Sequence, residues 1–479
     1  MLFNSYIFLL AFFPAVFAGY RLLEKYCPFI YAKLFLVLAS VYFYGFFKPS
    51  YVVILVVSII INYLLCCKMW ESNVTAIRRL MLVAGCVLNI GILGYFKYTG
   101  FLLENLNFFF GSTFDCFSVL LPLGISFYTF QQLSFLIDTY RGSNKRYGFV
   151  DYFLFVTFFP QLIAGPIVLP EEMLPQFNDA SRRGVCWSNM NEGLFLFACG
   201  LIKKCFLADT LTIVADTGFN SGTPLNFSEG WFVSLAYTLQ LYFDFSGYCD
   251  MAVGIGKFFN IDLPMNFNSP YKSTDFTNFW RRWHITLGRF MMNYLYIPLG
   301  GNKKGTLRTL GNLLAVFVLS GLWHGASWLF LLWGGVHGFC ILVHRVWSKI
   351  VLKKYPFLEL PRVPAIILTF ILVNFFWVFF RATTFKRAWE IICSMVDFGN
   401  IQWLSRSFRR AIEDYGFDKD FIFVLGGISL LIVFLLPNSF EMNKKLRLYP
   451  RWRMLLTIIF IVIGFFCVGR NSPFLYFNF

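Results

Sequence analysis

The chain has four histidines, and three of them, His284, His324 and His337, fall within residues 242–338. That stretch begins YFDFSGYCDMAVGIG, passes through NFNSPYKSTDFTNFWRRWHITLGRFMMNYLYIPLGGNKKG and ends VLSGLWHGASWLFLLWGGVHG. A neutral imidazole can take a proton from a hydroxyl, and general-base help of this kind is worth about 10²–10⁴-fold in rate. His324, in SGLWHGASW, lies between two apolar runs, where a charged imidazolium is costly. Gly321 and Gly325 flank it and let backbone or ligand come close. The alternative is a structural, hydrogen-bonded histidine. His284, in FWRRWHITLG, is expected on one side of a helix with Trp280 and Trp283, while Arg281 and Arg282 project elsewhere. In one reading His284 reaches a reaction site from the cytoplasmic side and the arginines attract the phosphates of a nucleotide-bearing donor. In the other, the group is an interfacial aromatic belt with snorkelling arginines. His337 follows WGG and is read as packing or hydrogen-bonding in a bundle, and His344, beside Arg345, is placed at a membrane edge. Asp244 and Asp250 could orient a histidine, line a proton path or cap a polar break.

Other chemistries lack their residues. The chain has no H-E-x-x-H, no G-x-S-x-G and no G-x-x-x-x-G-K-[ST]. Gly254-Ile-Gly256-Lys257 is too short to cradle a nucleotide and reads as close helix packing. The 12 cysteines are scattered, without C-x-x-C, mostly inside apolar runs. They read as small buried hydrophobes, and neither a disulfide framework nor a metal site is implied.

The elements that must position these residues are apolar helices. The chain is 58% hydrophobic and 14% charged, against about 25% charged in a soluble domain. Apolar runs fall at about 3–20, 31–47, 51–67, 80–97, 119–138, 149–168, 193–212, 231–256, 308–322, 326–343, 363–380, 421–437 and 453–469. Their length suits a hydrocarbon core of roughly 30 Å. This predicts an all-α, multi-pass membrane protein with about 11–13 hydrophobic helices, forming a single domain over 1–479. The net charge of +16 sits in short clusters between runs, as the positive-inside rule predicts for cytoplasmic loops; no basic domain for nucleic acid stands apart. With every cluster cytoplasmic, the N-terminus and Glu171/Glu172 lie outside and Lys303/Lys304 inside. An odd number of crossings must then join 169 to 303, which predicts re-entrant or interfacial helices in 257–306. The N-terminal run, lacking a basic flank, reads as a retained first span. The Ala388, Ile391, Ile392 and Met395 spacing suggests a surface amphipathic helix within 381–420.

The blocks FDFSGYCDMAVGIG, PMNFNSPY, FWRRWHITL, YLYIPLGGNKKG and LWHGASW resemble the membrane-bound O-acyltransferase family, in the branch of bacterial alginate and peptidoglycan O-acetyltransferases. MLFNSYIFLLAFFP, LPLGISFYTFQQLSFLIDTYRG, FFPQLIAGPI, NFFWVFFRA and the terminal SPFLYFNF extend the resemblance along nearly the whole chain. It implies a catalytic core at about 119–345, with cytoplasmic and external funnels meeting near His324, the essential histidine of LWHG. His284 is the histidine of the RWH motif and the second catalytic expectation. Trp323, Trp280, Trp283, Arg281, Arg282, Asn278 and Asp244 are the expected substrate-binding residues. No bound cofactor or metal is expected. The implied donor is a cytoplasmic thioester, acetyl-CoA in this branch, and the acceptor is a polysaccharide or peptidoglycan outside the bacterial cytoplasmic membrane. Membrane lipid surrounds the enzyme, and an extracytoplasmic esterase-like transferase is the implied partner. Where such sequences usually read Arg-Asp-Tyr before YIPLGG, this chain has Met292-Asn293-Tyr294. Competing readings are a transporter of an intact solute, a D-alanyl transferase for teichoic acid and a scaffold for polysaccharide export.

Overall fold

A computed structural model of the chain describes residues 1–114, 120–416, 418–469 and 474–475. Among them every regular element is a helix, because in hydrocarbon a single helix satisfies its own backbone groups. The protein is therefore an all-helical, multi-pass membrane protein. Six helices are long and apolar enough to cross: Ser50–Glu71, Thr75–Phe110, Thr306–His324, Trp328–Lys354, Arg362–Arg381 and Pro450–Cys467. A seventh arises if the pair Asp420–Leu435 and Ser439–Leu446, bent by 68°, counts as one span. The sequence lists more apolar runs than this, and their structures explain why. Phe29–Gly45 has only 17 residues. The run at 149–168 divides into Phe149–Thr157 and Phe159–Leu162, with Pro160 at the start of the second piece. The first run opens as a π turn, Phe8–Phe12, ahead of Pro14. Cys116 and all of SPFLYFNF except Phe474 and Leu475 lie outside the described residues.

The chain forms two compact units, Met1–Ala198 with Tyr248–Met265, and Cys199–Gly247 with Asn266–Phe479. In the first, an amide cluster ties three helices together. Asn62 Nδ2 donates to Gln132 Oε1 at 2.7 Å, Asn89 Nδ2 donates to Asn62 Oδ1 at 2.7 Å, and Gln132 Nε2 donates to Ser58 Oγ at 3.1 Å. Polar groups that satisfy each other in this way hold helices that have no hydrophobic drive to associate inside lipid. A Cβ on Gly193 would meet Gly254 O at 2.5 Å, so Gly254 does serve close helix packing.

In the second unit, Thr306–His324 and Trp328–Val346 form a tight hairpin. Glycines permit it: a Cβ on Gly321 would collide with the Phe330 carbonyl, and one on Gly334 with the Phe317 carbonyl. The helix Phe385–Val396 buries Ala388, Ile391 and Met395 and leaves Trp389 exposed, so it is amphipathic as its spacing predicts. Between Phe258 and Thr306 no helix reaches spanning length. The segment holds the short helices Phe276–Trp280 and Ile285–Met291 and a π turn, Met292–Tyr296.

Candidate functional site

The RWH segment is not one continuous helix. Phe276–Trp280 is started by Asp275, whose Oδ1 accepts the Asn278 N–H at 2.8 Å. The helix stops at Trp280, and His284 adopts a left-handed conformation, φ +46° and ψ +52°, immediately before Ile285–Met291. The expected i, i+3, i+4 alignment of Trp280, Trp283 and His284 is thus broken by a reversal of the backbone. A non-glycine residue in this region costs of order 1–3 kcal/mol and persists where its surroundings over-determine it. Residues 266–268 supply that constraint. Ile285 N–H donates to the Asn266 carbonyl at 3.0 Å and Asn268 N–H to the Arg282 carbonyl at 2.9 Å. The Thr286 N–H and Oγ1–H both donate to Asn266 Oδ1, at 3.2 and 2.9 Å.

The reversal sorts the expected residues. Trp280, Arg281, Asn278 and His284 line a cavity of about 930 Å³, together with Leu313, Val316, Phe317 and Ser320 of the facing helix. His284 borders the cavity, its side chain being fully buried, with Phe245 edge-on at 4.9 Å between ring centres. That burial pushes its imidazole down to about 3. Arg281 is exposed. Arg282 does not line the cavity; its Nε donates to Asn278 Oδ1 at 2.7 Å and so braces the turn. Trp283 is buried beneath, 5.0 Å from Phe267 and 4.9 Å from Trp377 between ring centres.

His324 lies one helical turn beyond Ser320 on the same face, about 6 Å further along the axis. It is 2% exposed. Its ring centre is 4.9 Å from Trp323, 5.2 Å from Trp333, 5.3 Å from Phe380 and 6.3 Å from His284. The two histidines are therefore neighbours, His284 on the cavity wall and His324 behind it in an aromatic enclosure. Asp244 is placed elsewhere: its Oδ1 takes a bond from Lys204 Nζ at 2.6 Å and its Oδ2 accepts the Leu475 N–H at 3.2 Å. His337 accepts from Trp280 Nε1 at its Nδ1, 3.3 Å away, and supports the wall from behind.

The sequence reading missed several wall residues. Ser320 follows from helical spacing to His324. Arg289, His344, Arg345 and Lys349 also line the cavity with Asp275, whose Oδ1 lies 3.6 Å from His344 Nδ1. Met292 and Asn293, where the chain departs from the usual motif, line it too. Asn266 stands in the quoted PMNFNSPY block, but its role depends on a backbone reversal that has no sequence signature. Among the described residues no group of three or more His, Cys, Asp or Glu could hold a metal ion.

A family model described as membrane-bound O-acyltransferase matches residues 139–385. The peptidoglycan O-acetyltransferase of Helicobacter pylori is 41% identical over 519 aligned positions, covering 100% of this chain and 98% of the relative. The probable alginate O-acetylase of Pseudomonas aeruginosa is 37% identical, covering 84% of this chain and 76% of the relative. The teichoic acid D-alanyltransferase of Streptococcus thermophilus is 25% identical, covering 48% and 59%. The family model over 139–385 and the 41% identity along the whole chain to one such enzyme lead to one conclusion: the chain belongs to the membrane-bound O-acyltransferase family and is an enzyme of acyl transfer.

Proposed function

We propose that this enzyme moves an acetyl group from a cytoplasmic thioester, acetyl-CoA, to an acceptor hydroxyl at the outer face of the bacterial cytoplasmic membrane, for O-acetylation of peptidoglycan or another cell-surface polysaccharide. The observation that carries the reading is the pairing of His324 with His284, 6.3 Å apart between ring centres, beside a large cavity that His284 lines. His324 takes the proton of the acceptor hydroxyl as its oxygen bonds to the thioester carbonyl carbon. The carbon–sulfur bond then breaks, and the proton passes to the departing thiolate, leaving an ester and a free thiol. Trp323, Trp333 and Phe380 around His324 keep water from competing for the acetyl group. Arg281, Arg289, Arg345 and Lys349 give the cavity wall a cationic character that suits a phosphate-bearing donor. An extracytoplasmic esterase-like transferase is the proposed partner that completes transfer to the polymer. Similarity to the peptidoglycan O-acetyltransferase covers the whole chain, whereas that to the D-alanyltransferase covers about half, which favours acetyl over D-alanyl.

The test is His324→Ala in cells that carry the full chain, with base-labile acetate and D-alanine ester on the wall polymer measured beside protein level. Acetate should fall to background with the protein still present in the membrane. Undiminished acetate would remove His324 from the reaction, and loss of D-alanine ester instead would change the acyl group.

A further inference from the structure

The geometry points to Asn266 as a positioning residue that fixes the tautomer of His284, so that the ring offers the lone pair of Nε2 for the reaction. The inference rests on His284 serving the proposed transfer. Its warrant is a count of donors around one oxygen. The Thr286 backbone N–H can only donate, and it lies 3.2 Å from the Asn266 side chain, so the atom facing it must be the amide oxygen Oδ1. The same oxygen takes the Thr286 hydroxyl at 2.9 Å and stands 3.2 Å from His284 Nδ1. An oxygen has nothing to donate back, so Nδ1 carries the hydrogen. A neutral imidazole has one protonated nitrogen, and Nε2 is then the acceptor. The backbone locks this arrangement, because the Asn266 carbonyl takes the Ile285 N–H at 3.0 Å on the other side of the left-handed His284.

In the proposed transfer the acceptor's proton goes to His324, and His284, with its Nδ1–H held on Asn266 Oδ1, keeps Nε2 as a hydrogen-bond acceptor throughout. The ring neither rotates nor exchanges tautomers during the step. Asn266 touches no reacting atom in this scheme and acts through His284 alone. The titratable group facing His284 from the adjoining helix is His324; Arg281 and Arg282 precede it on its own segment, and Phe245 packs on it from the helix Phe227–Phe258.

The test uses the full chain in membranes, labelled with ¹⁵N-histidine, and acetyl-CoA carrying a radioactive acetyl group. With four histidines in the chain, subtracting the spectrum of His284→Gln isolates the signal of His284. Wild type should show a protonated Nδ1 and a bare Nε2 at neutral pH. Asn266→Leu should lose that preference and lower kcat by about 10²–10⁴-fold, with the donor KM within a few-fold of wild type. Asn266→Asp keeps the acceptor oxygen, so it should retain the tautomer and transfer, with the acidic limb of its pH–rate profile moved upward by the neighbouring carboxylate. A protonated Nε2 in wild type, unchanged kcat in Asn266→Leu, or an unshifted profile in Asn266→Asp overturns the assignment. If Asn266→Leu fails to accumulate, the wild-type spectrum and the aspartate variant decide. Wild-type transfer by His284→Gln would instead remove His284 itself, a failure of the underlying reading that this comparison keeps separate.

Discussion

Arg281 and Arg282 are adjacent in sequence but do different work, and the difference can be measured. Arg281 is exposed and lines the cavity, whereas Arg282 is tied to Asn278 at 2.7 Å. An exposed charge contributes about 0.2–1 kcal/mol to an ionic contact and is screened by salt. Arg281→Gln should therefore raise the donor KM by about two- to fivefold at low salt, and the gap should close at high salt. Arg282→Gln should leave KM nearly unchanged and lower kcat and thermal stability, because it loosens the turn that sets His284. Steady-state kinetics at two ionic strengths separate the two. His284 also has a stability signature. Burial holds its imidazole at about 3 in the fold, against about 6.5 in an unfolded chain. Below pH 6.5 the unfolded state binds a proton that the folded state refuses, so stability present at neutral pH is lost as pH falls, by up to about 1.4 kcal/mol per pH unit. Thermal unfolding in detergent between pH 7 and 5 should show a shallower decline for His284→Gln than for wild type. Equal slopes would mean that the ring protonates freely in the fold.

At the scale of elements, the depth of His324 is set by how closely two helices approach. Gly321 stands three residues before it, where a Cβ would collide with the Phe330 carbonyl; at Gly311, on the same helix, a Cβ meets nothing within 4 Å. Gly321→Ala must separate the hairpin and shift His324 against Trp333 and Phe380, whereas Gly311→Ala should be neutral or stabilising by about 0.4–1 kcal/mol. Transfer activity and melting temperature of the two variants should diverge, with Gly321→Ala impaired in both. The helices were legible beforehand because a run of apolar residues in lipid has few backbone solutions. His324 was legible for the same reason, as an imidazole bounded by glycines between two such runs. The left-handed turn at His284 was not, since histidine's enrichment at positive φ does not single out one position, and the constraint comes from Asn266, eighteen residues earlier. Arg282 was misplaced for that reason: a continuous helix would have sent it outward, and the broken one turns it onto Asn278. Asp244 could not be placed because its partner Lys204 lies forty residues upstream, on another helix.

For the whole molecule, orientation in the membrane decides which side supplies the donor, and charge is the available argument. The chain carries +16, concentrated in connections that the positive-inside rule assigns to the cytoplasm. Lys304 lies in one such connection, while Glu171, exposed like Lys304, lies in a segment assigned outside. Arg345 and Lys349 line the same cavity as His284 and belong to a further cationic cluster. The positive-inside rule therefore assigns this cavity to the cytoplasmic side, where an acyl thioester is made. Exposed single cysteines test this directly. In a chain whose exposed Cys27 is replaced by serine, Glu171→Cys should react with a membrane-impermeant maleimide in intact spheroplasts. Lys304→Cys and Lys349→Cys should react only after the membrane is opened, and saturating acetyl-CoA should slow the labelling of Lys349→Cys but not of Lys304→Cys. Labelling of Lys349→Cys from outside would place the cationic cavity on the wrong face for a cytoplasmic donor. The proposed direction of transfer would then have to be reversed.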